Sequence, residues 1–109
     1  MAIIGNFNDT PDSTPLRPLL AETDPRDSFG HPAFDDGGHP WTYGLCNASK
    51  KIDYLLLSPA LFGTGQAGGV LRKGMWPGKR PPQWEVYEQL TRPQQAGSDH
   101  AAVWVDLDL

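Results

Sequence analysis

With 109 residues, 12 glycines and 11 prolines, the chain has the length of one small domain and the composition of a loop-rich one. Its formal net charge of -4 argues against broad electrostatic attraction to nucleic acid or anionic lipid, although Arg72, Lys73, Lys79 and Arg80 could form a local basic patch. Cys46 is the only cysteine, which excludes an intrachain disulfide and is compatible with the cytoplasm without establishing it, and no apolar run approaches the ~20 residues that span a bilayer.

The first half of the chain alternates short apolar runs with long polar stretches. Residues 2–5 predict a short buried strand, and residues 14–21 predict an amphipathic helix with its leucines on one face. Residues 22–50 contain several proline and glycine breakers and are predicted to be mostly loop, with a brief strand at residues 41–43. The first strand begins almost at the first residue, which favours a truncated domain over a compact amino terminus.

The middle of the chain contains the clearest strand. Residues 51–57 are apolar on both faces apart from Asp53, and residues 58–62 predict one helical turn after that strand. The glycine-rich residues 63–69 predict a flexible loop, and residues 70–72 predict a short strand.

The last third begins with a segment rich in proline and polar residues. Within it, residues 83–90 predict a short helix that Trp84 and Tyr87 would anchor. Residues 101–107 predict a final strand because apolar and other side chains alternate along it.

Two acidic residues and a histidine accompany these strands and are candidates for chemistry. Asp53 interrupts an otherwise apolar strand, and a buried carboxylate needs a partner that bonds it. An imidazole is a suitable partner because the carboxylate fixes its tautomer and orientation, so we expect an Asp53–His100 pair. Asp99 can ligate a hard cation, and His100 can act as a base or bond a phosphate. The alternative for Asp53 is a strand-end carboxylate bonded to backbone or solvent.

Two asparagines lie at the end of the first predicted strand. Asn6 and Asn8 flank Phe7, so their side chains would point to the same side of the strand. Amides can bind phosphate oxygens or orient water, but they cannot serve as bases. The alternative is an Asx turn that ends the strand, and the sequence alone favours it.

Weaker candidates lie in the loops. His31 and His39, with Asp35 and Asp36 between them, could form a metal-binding loop, but the neighbouring glycines and prolines favour a surface loop. Trp76 lies among the basic residues and could stack on a bound polyanion, whereas solvated loop charge is the alternative interpretation.

Three motifs occur in a fixed order over nearly the whole chain and together resemble the endonuclease/exonuclease/phosphatase superfamily. The motifs are Gly5-Asn6-Phe7-Asn8-Asp9, Lys51-Ile52-Asp53-Tyr54 and Ser98-Asp99-His100. The resemblance implies a four-layer α/β sandwich, of which this chain would form half. We therefore expect a single truncated domain over residues 1–109, with one mainly antiparallel sheet and short helices on one face.

The resemblance also implies a site. By carry-over, His100 is the catalytic histidine and Asp53 its carboxylate partner, while Asp99 assists in binding Mg²⁺ or Mn²⁺. Asn8 and His100 would contact the phosphate. Asn6 occupies the position at which the family has an aspartate that holds or activates the nucleophile, so the resemblance implies a severe loss of rate. The family's principal metal-binding glutamate has no counterpart here, so we expect weak metal binding.

These features predict the C-terminal part of a metal-dependent phosphoester hydrolase that is inactive as an isolated chain. The alternative is a non-catalytic remnant that binds a phosphate-bearing ligand or associates with itself. The substrate would be a phosphoester of open class. Because the apolar residues 55–57 would lack the cover of a second sheet, we expect a homodimer or association with a complementary chain.

Overall fold

The computed structural model describes residues 1–44, 51–77 and 84–109. Within these ranges the chain is a mixed α/β fold, as predicted, and no helix in them is long and apolar enough to cross a membrane. Two short 3-10 helices accompany the main elements, at Ser28–Gly30 and Pro93–Gln95. The main elements are β1 (Ala2–Asn6), α1 (Arg17–Ala21), β2 (Arg26–Asp27), β3 (Phe34–Asp35), β4 (Asp53–Leu57), α2 (Pro59–Phe62), β5 (Gly65–Leu71) and β6 (Ala102–Leu107).

The strands form two three-stranded sheets rather than the one sheet that the sequence predicted. In the first sheet, β4 lies between β1 and β2 and is antiparallel to both. In the second, β5 lies between β3 and β6, parallel to β3 and antiparallel to β6. The single-sheet expectation, which came from the family resemblance, was wrong because β5 pairs with β3 and β6 in a sheet that does not include β4. The four-layer sandwich stays a prediction.

Strand β5 corrects the prediction of a flexible loop at residues 63–69. A Cβ atom on Gly68 would lie 2.6 Å from Cδ2 of Phe34 and 3.1 Å from the carbonyl oxygen of Trp104. Glycine therefore provides space for the neighbouring strands here. The sequence signal for flexibility was instead a signal for close packing.

Three other predicted elements differ from the structure in length or kind. The first helix forms, but it is limited to Arg17–Ala21. Residues 41–43 form a single antiparallel bridge, between Tyr43 and His100, instead of a strand. The predicted helix at residues 83–90 is wrong for its described part, since residues 84–90 contain only turns and irregular chain.

Apolar side chains are buried in two places. Tyr54 and the three leucines of β4 are buried, so the expected exposure of residues 55–57 was wrong. A second cluster consists of Trp41, Met75 and Ala101, against which Trp84 packs. The site described below lies where the start of β4 meets the chain that enters β6.

Arg72 stabilises the loop before Trp41 and does not contribute to a surface patch. Its guanidinium is buried and donates hydrogen bonds to the backbone carbonyls of Asp36, His39 and Trp41. The guanidinium also lies over the Trp41 ring, 4.5 Å from its centroid. Arg72 is therefore not part of the predicted basic patch. Lys73 forms an exposed ion pair with Glu85, and Lys79 and Arg80 lie outside the described residues.

Candidate active site around Asp53 and His100

Asp53 and His100 form a hydrogen-bonded pair, which confirms the expected contact. Nδ1 of His100 lies 2.8 Å from Oδ2 of Asp53, and both side chains are partly buried. A carboxylate at this distance favours the tautomer with its proton on Nδ1. In the neutral ring, Nε2 is then left as a hydrogen-bond acceptor, whereas in the protonated ring it is a donor. The pair can thus either accept or deliver a proton at Nε2.

The segment at residues 42–44 holds the two partners together. The backbone N–H of Ala101 donates to the carbonyl of Thr42 at 2.8 Å, and the N–H of Gly44 donates to the carbonyl of Asp99 at 3.2 Å. The Tyr43 ring packs against the His100 ring with 4.9 Å between centroids. These contacts fix the backbone on both sides of His100.

Thr42 provides the corresponding support for Asp53. Its hydroxyl oxygen accepts hydrogen bonds from the backbone N–H groups of Ile52 and Asp53, each at 3.1 Å, and its side chain is fully buried. One hydroxyl oxygen thus satisfies two backbone N–H donors at the start of β4. The sequence predicted only a brief strand over residues 41–43 and no such role for Thr42. The sequence signal for this role was a threonine placed between two aromatic residues, Trp41 and Tyr43.

Lys51 is a second residue whose role the sequence analysis did not anticipate. Its ammonium group is buried, forms an ion pair with Asp27 at 2.9 Å and donates to the backbone carbonyl of Asp53 at 3.2 Å. It also lies over the rings of Phe29 and Tyr54, at 4.1 and 3.7 Å from their centroids. Burial lowers the pKa of Lys51, and the carboxylate of Asp27 partly offsets this. The ion pair joins β2 to the strand that carries Asp53.

Tyr54 links the same strand to the loop that follows β1. Its hydroxyl donates to the carbonyl of Asp9 at 2.9 Å, and its ring stacks on Phe7 with 5.0 Å between centroids. Burial raises the pKa of Tyr54, and the negative charge of Asp27 adds to this effect. The neutral phenol therefore serves as a structural hydrogen-bond donor at neutral pH.

Asn6 lies directly across the ladder from Asp53 and forms an Asx turn. Its side-chain oxygen accepts from the backbone N–H of Asn8 at 2.8 Å, which confirms the turn interpretation of this segment. Asn8 has a φ of 56°, a left-handed conformation that asparagine tolerates better than most residues, and its side chain is exposed. The ladder places Asn6 at the same edge as Asp53, but the side-chain oxygen of Asn6 is already engaged by the backbone of Asn8.

An open cleft of about 220 Å³ lies beside this edge. Asn6 and Asp53 line it, together with apolar residues of β1, β4 and β6 that include Ile4 and Val103. The cleft is large enough to admit an anion of the size of phosphate.

Asp99 is the carboxylate that the sequence proposed for metal binding, and it lies beside His100. Its Oδ1 is 3.9 Å from Nε2 of His100, and 72% of its side chain is exposed. Among residues 1–44, 51–77 and 84–109, no group of three or more His, Cys, Asp or Glu side chains is arranged to hold a metal ion. Mg²⁺ requires six oxygen ligands, so Asp99 fits as one contributor but does not form a site by itself.

The predicted alternative for the histidine-rich loop agrees with the structure. His31 packs against the Phe62 ring, whereas His39 packs against Trp41. The carboxylates of Asp35 and Asp36 cap the backbone N–H groups two residues further on. These four side chains stabilise turns instead of converging on a metal.

No family model, curated protein or solved structure matches this chain. The family resemblance therefore rests on the three motifs themselves. Two of them contribute the Asp53–His100 pair, and the first adds Asn6 at the same edge.

Proposed function

We propose that this chain forms the C-terminal part of a metal-dependent phosphoester hydrolase and binds the phosphate of its substrate at His100. The observation that supports the proposal is the 2.8 Å contact between His100 and Asp53. This contact leaves Nε2 of His100 as the ring atom available to a phosphate oxygen, on the side where Asp99 lies. A carboxylate–imidazole pair of this kind supplies an oriented hydrogen bond and a proton to a phosphoryl group.

The same geometry favours binding over turnover in the isolated chain. Asn6 is an amide, and its oxygen is bonded to the backbone of Asn8, so it cannot take a proton from water. Asp99 could contribute one ligand to Mg²⁺ or Mn²⁺, with the phosphate and water supplying others. A bound cation would supply positive charge beside the phosphate. A full complement of protein ligands would require a further chain or segment.

Phosphate binding at His100 can be tested with inorganic phosphate as the probe. Titration of the protein followed by the imidazole ¹⁵N signals should perturb His100, while His31 and His39 provide reference signals in the same spectrum. Asp53→Asn should weaken binding roughly tenfold because it removes the group that orients the ring. Asp106→Asn removes an equal charge from an exposed position on β6 and should leave the affinity unchanged. Absence of a selective response at His100 would refute the proposal.

The role of position 6 can be tested by restoring a carboxylate. Asn6→Asp should bind phosphate more tightly when Mg²⁺ is present, since it adds a negatively charged oxygen ligand directly across the ladder from Asp53. We expect no hydrolysis of bis(p-nitrophenyl) phosphate by this variant alone. Turnover by Asn6→Asp would show that the isolated chain already contains a complete site and would contradict the half-site interpretation.

The alternative function is a non-catalytic phosphate-binding remnant, and the Asx turn at Asn6 favours it. In that case the amide at position 6 serves to form the turn and does not replace a catalytic carboxylate. Phosphate would then bind with equal affinity in the presence and absence of Mg²⁺, in both the parent chain and Asn6→Asp. The hydrolase proposal expects the cation to matter in the variant.

We also propose that the chain associates with itself or with a complementary chain. The leucines of β4 are buried within the chain, so the remaining reason is the exposure of Ile4, at 72% of its surface, beside Asn6. A complementary chain or a second copy that covers Ile4 would also close the cleft at the site. Sedimentation analysis should detect an assembly that Ile4→Lys dissociates. A monomer at all concentrations in the parent chain would exclude self-association.

A further inference from the structure

A second cavity opens beside Asp99. Its volume is about 370 Å³, and its walls come from Gly44, Trp76, Pro93 and Ala96, with Met75 at the base. Cavities that hold small ligands are of this size and are similarly apolar. Met75 is almost fully buried and belongs to the cluster around Trp41, so the base of the cavity is part of the core.

The cavity adjoins the proposed phosphate site at Asp99, which lines the cavity and whose Oδ1 lies 3.9 Å from Nε2 of His100. Ser98 and Asp99 form part of its wall, and the Ser98 hydroxyl accepts from the backbone N–H of His100 at 3.0 Å. Gly44, which also lines the cavity, donates from its backbone N–H to the carbonyl of Asp99. A molecule whose phosphate contacts His100 can therefore extend past Asp99 into this cavity.

We propose that this cavity binds a flat aromatic group attached to the phosphate, so that the ligand is an aromatic phosphoester. Trp76, Pro93 and Ala96 line the cavity, and its lining is mostly apolar, which suits an aromatic ring better than a sugar or polyol. The proposal rests on the phosphate site at His100 and adds the chemistry of the group that the phosphate carries.

Two ligands that share a phosphate and differ in the attached group provide the test. Phenyl phosphate and methyl phosphate are titrated separately while the Trp76 indole N–H and the His100 imidazole are followed by NMR. We expect phenyl phosphate to bind roughly tenfold more tightly and to perturb both residues, because stacking on an aromatic side chain is worth about that factor or more. Methyl phosphate should perturb His100 alone.

Two variants locate the preference. Trp76→Ala removes one wall and should abolish the advantage of phenyl phosphate without changing the affinity for methyl phosphate. Trp104→Ala makes the same change at a partly exposed tryptophan of β6 that does not line the cavity, and it should retain the advantage. Ala96→Phe fills the cavity from a partly buried position of extended backbone, so it tests the same point if Trp76→Ala fails to fold.

The outcomes separate this inference from the function on which it rests. If both phosphates perturb His100 with equal affinity, or if Ala96→Phe retains the preference for phenyl phosphate, the aromatic site is refuted and the phosphate site stands. If neither phosphate perturbs His100, both proposals are refuted. A response of Trp76 to phenol that equals its response to phenyl phosphate would also refute the inference, since the cavity would then act independently of phosphate.

Discussion

Nδ1 of His100 lies 2.8 Å from Oδ2 of Asp53, although 47 positions separate the two residues in the chain. The first is held by the bridge to Tyr43, and the second by the hydroxyl of Thr42. Adjacent residues on one short segment therefore position both partners. The geometry of the pair therefore depends on this segment as well as on β4 and β6.

This contact predicts the tautomer of the neutral His100 ring. Because the carboxylate accepts a hydrogen bond from Nδ1, the proton should reside there, whereas a free imidazole favours the Nε2–H form. Long-range ¹H–¹⁵N correlation spectra at a pH where the ring is neutral distinguish the two forms. Asp53→Asn should shift the population toward Nε2–H, and Asp106→Asn should not. An Nε2–H ring in the parent chain would contradict the pair.

Thr42 should contribute to stability through its hydroxyl and not through its shape. Thr42→Val keeps the volume but leaves the N–H groups of Ile52 and Asp53 without their acceptor, at a cost of about 2–4 kcal/mol in the free energy of unfolding. Thr42→Ser retains the hydroxyl and should lose much less. Urea unfolding measures both variants. Equal losses in the two would mean that the methyl group, not the hydrogen bonds, is responsible.

The sequence predicted the contact between Asp53 and His100 because their motifs carry strong chemical constraints. A carboxylate in an apolar strand needs a partner, and the family resemblance singled out His100 among the possible ones. The Asx turn at Asn6 was predictable for a similar reason, since its hydrogen bond is local.

What the sequence did not predict depends on contacts between distant segments. Gly68 resembles a loop residue until the ring of Phe34 and the carbonyl of Trp104 are known to approach it. Lys51 resembles a surface lysine until Asp27 and two aromatic rings surround it. Phe34 and Trp104 are distant from Gly68 in the sequence, and Asp27 is distant from Lys51, so local sequence patterns do not reveal these contacts. The second sheet and the support beneath Asp53 were therefore missed for the same physical reason.

Lys51 and Tyr54 predict opposite effects on stability at alkaline pH. Burial lowers the pKa of Lys51 below its ordinary value of 10.5, so the unfolded state binds more protons between the two values and stability should rise with pH in that window. Burial raises the pKa of Tyr54 above its ordinary value of 10.0, so the unfolded state loses that proton first. Stability from Tyr54 is complete below pH 10.0 and should fall as the pH rises further.

Urea unfolding of the parent chain and two variants between pH 8 and pH 11 checks these slopes. Tyr54→Phe should remove the decline above pH 10.0, and Lys51→Met should remove the rise that precedes pH 10.5. Lys51→Met should also cost about 3 kcal/mol at neutral pH because it leaves Asp27 partly buried without its cation. A Tyr54→Phe profile parallel to that of the parent chain would contradict the assignment of the decline to this phenol.

Gly68 and Gly65 should be the least replaceable glycines of β5, because an added Cβ would lie 2.6 Å from a side-chain atom at either position. An alanine Cβ at position 68 would lie 2.6 Å from the Phe34 ring, and the strand cannot move away because the carbonyl of Trp104 is 3.1 Å from the same point. We expect Gly68→Ala to lower the free energy of unfolding by about 1–3 kcal/mol, a typical cost of overpacking. Gly74→Ala is the matched control, because nothing lies within 4 Å of the Cβ it would introduce. Gly68→Ala/Phe34→Leu should recover part of the loss if the ring is the obstacle. Equal destabilisation by Gly68→Ala and Gly74→Ala would contradict the crowding explanation, since an added Cβ meets nothing within 4 Å at position 74.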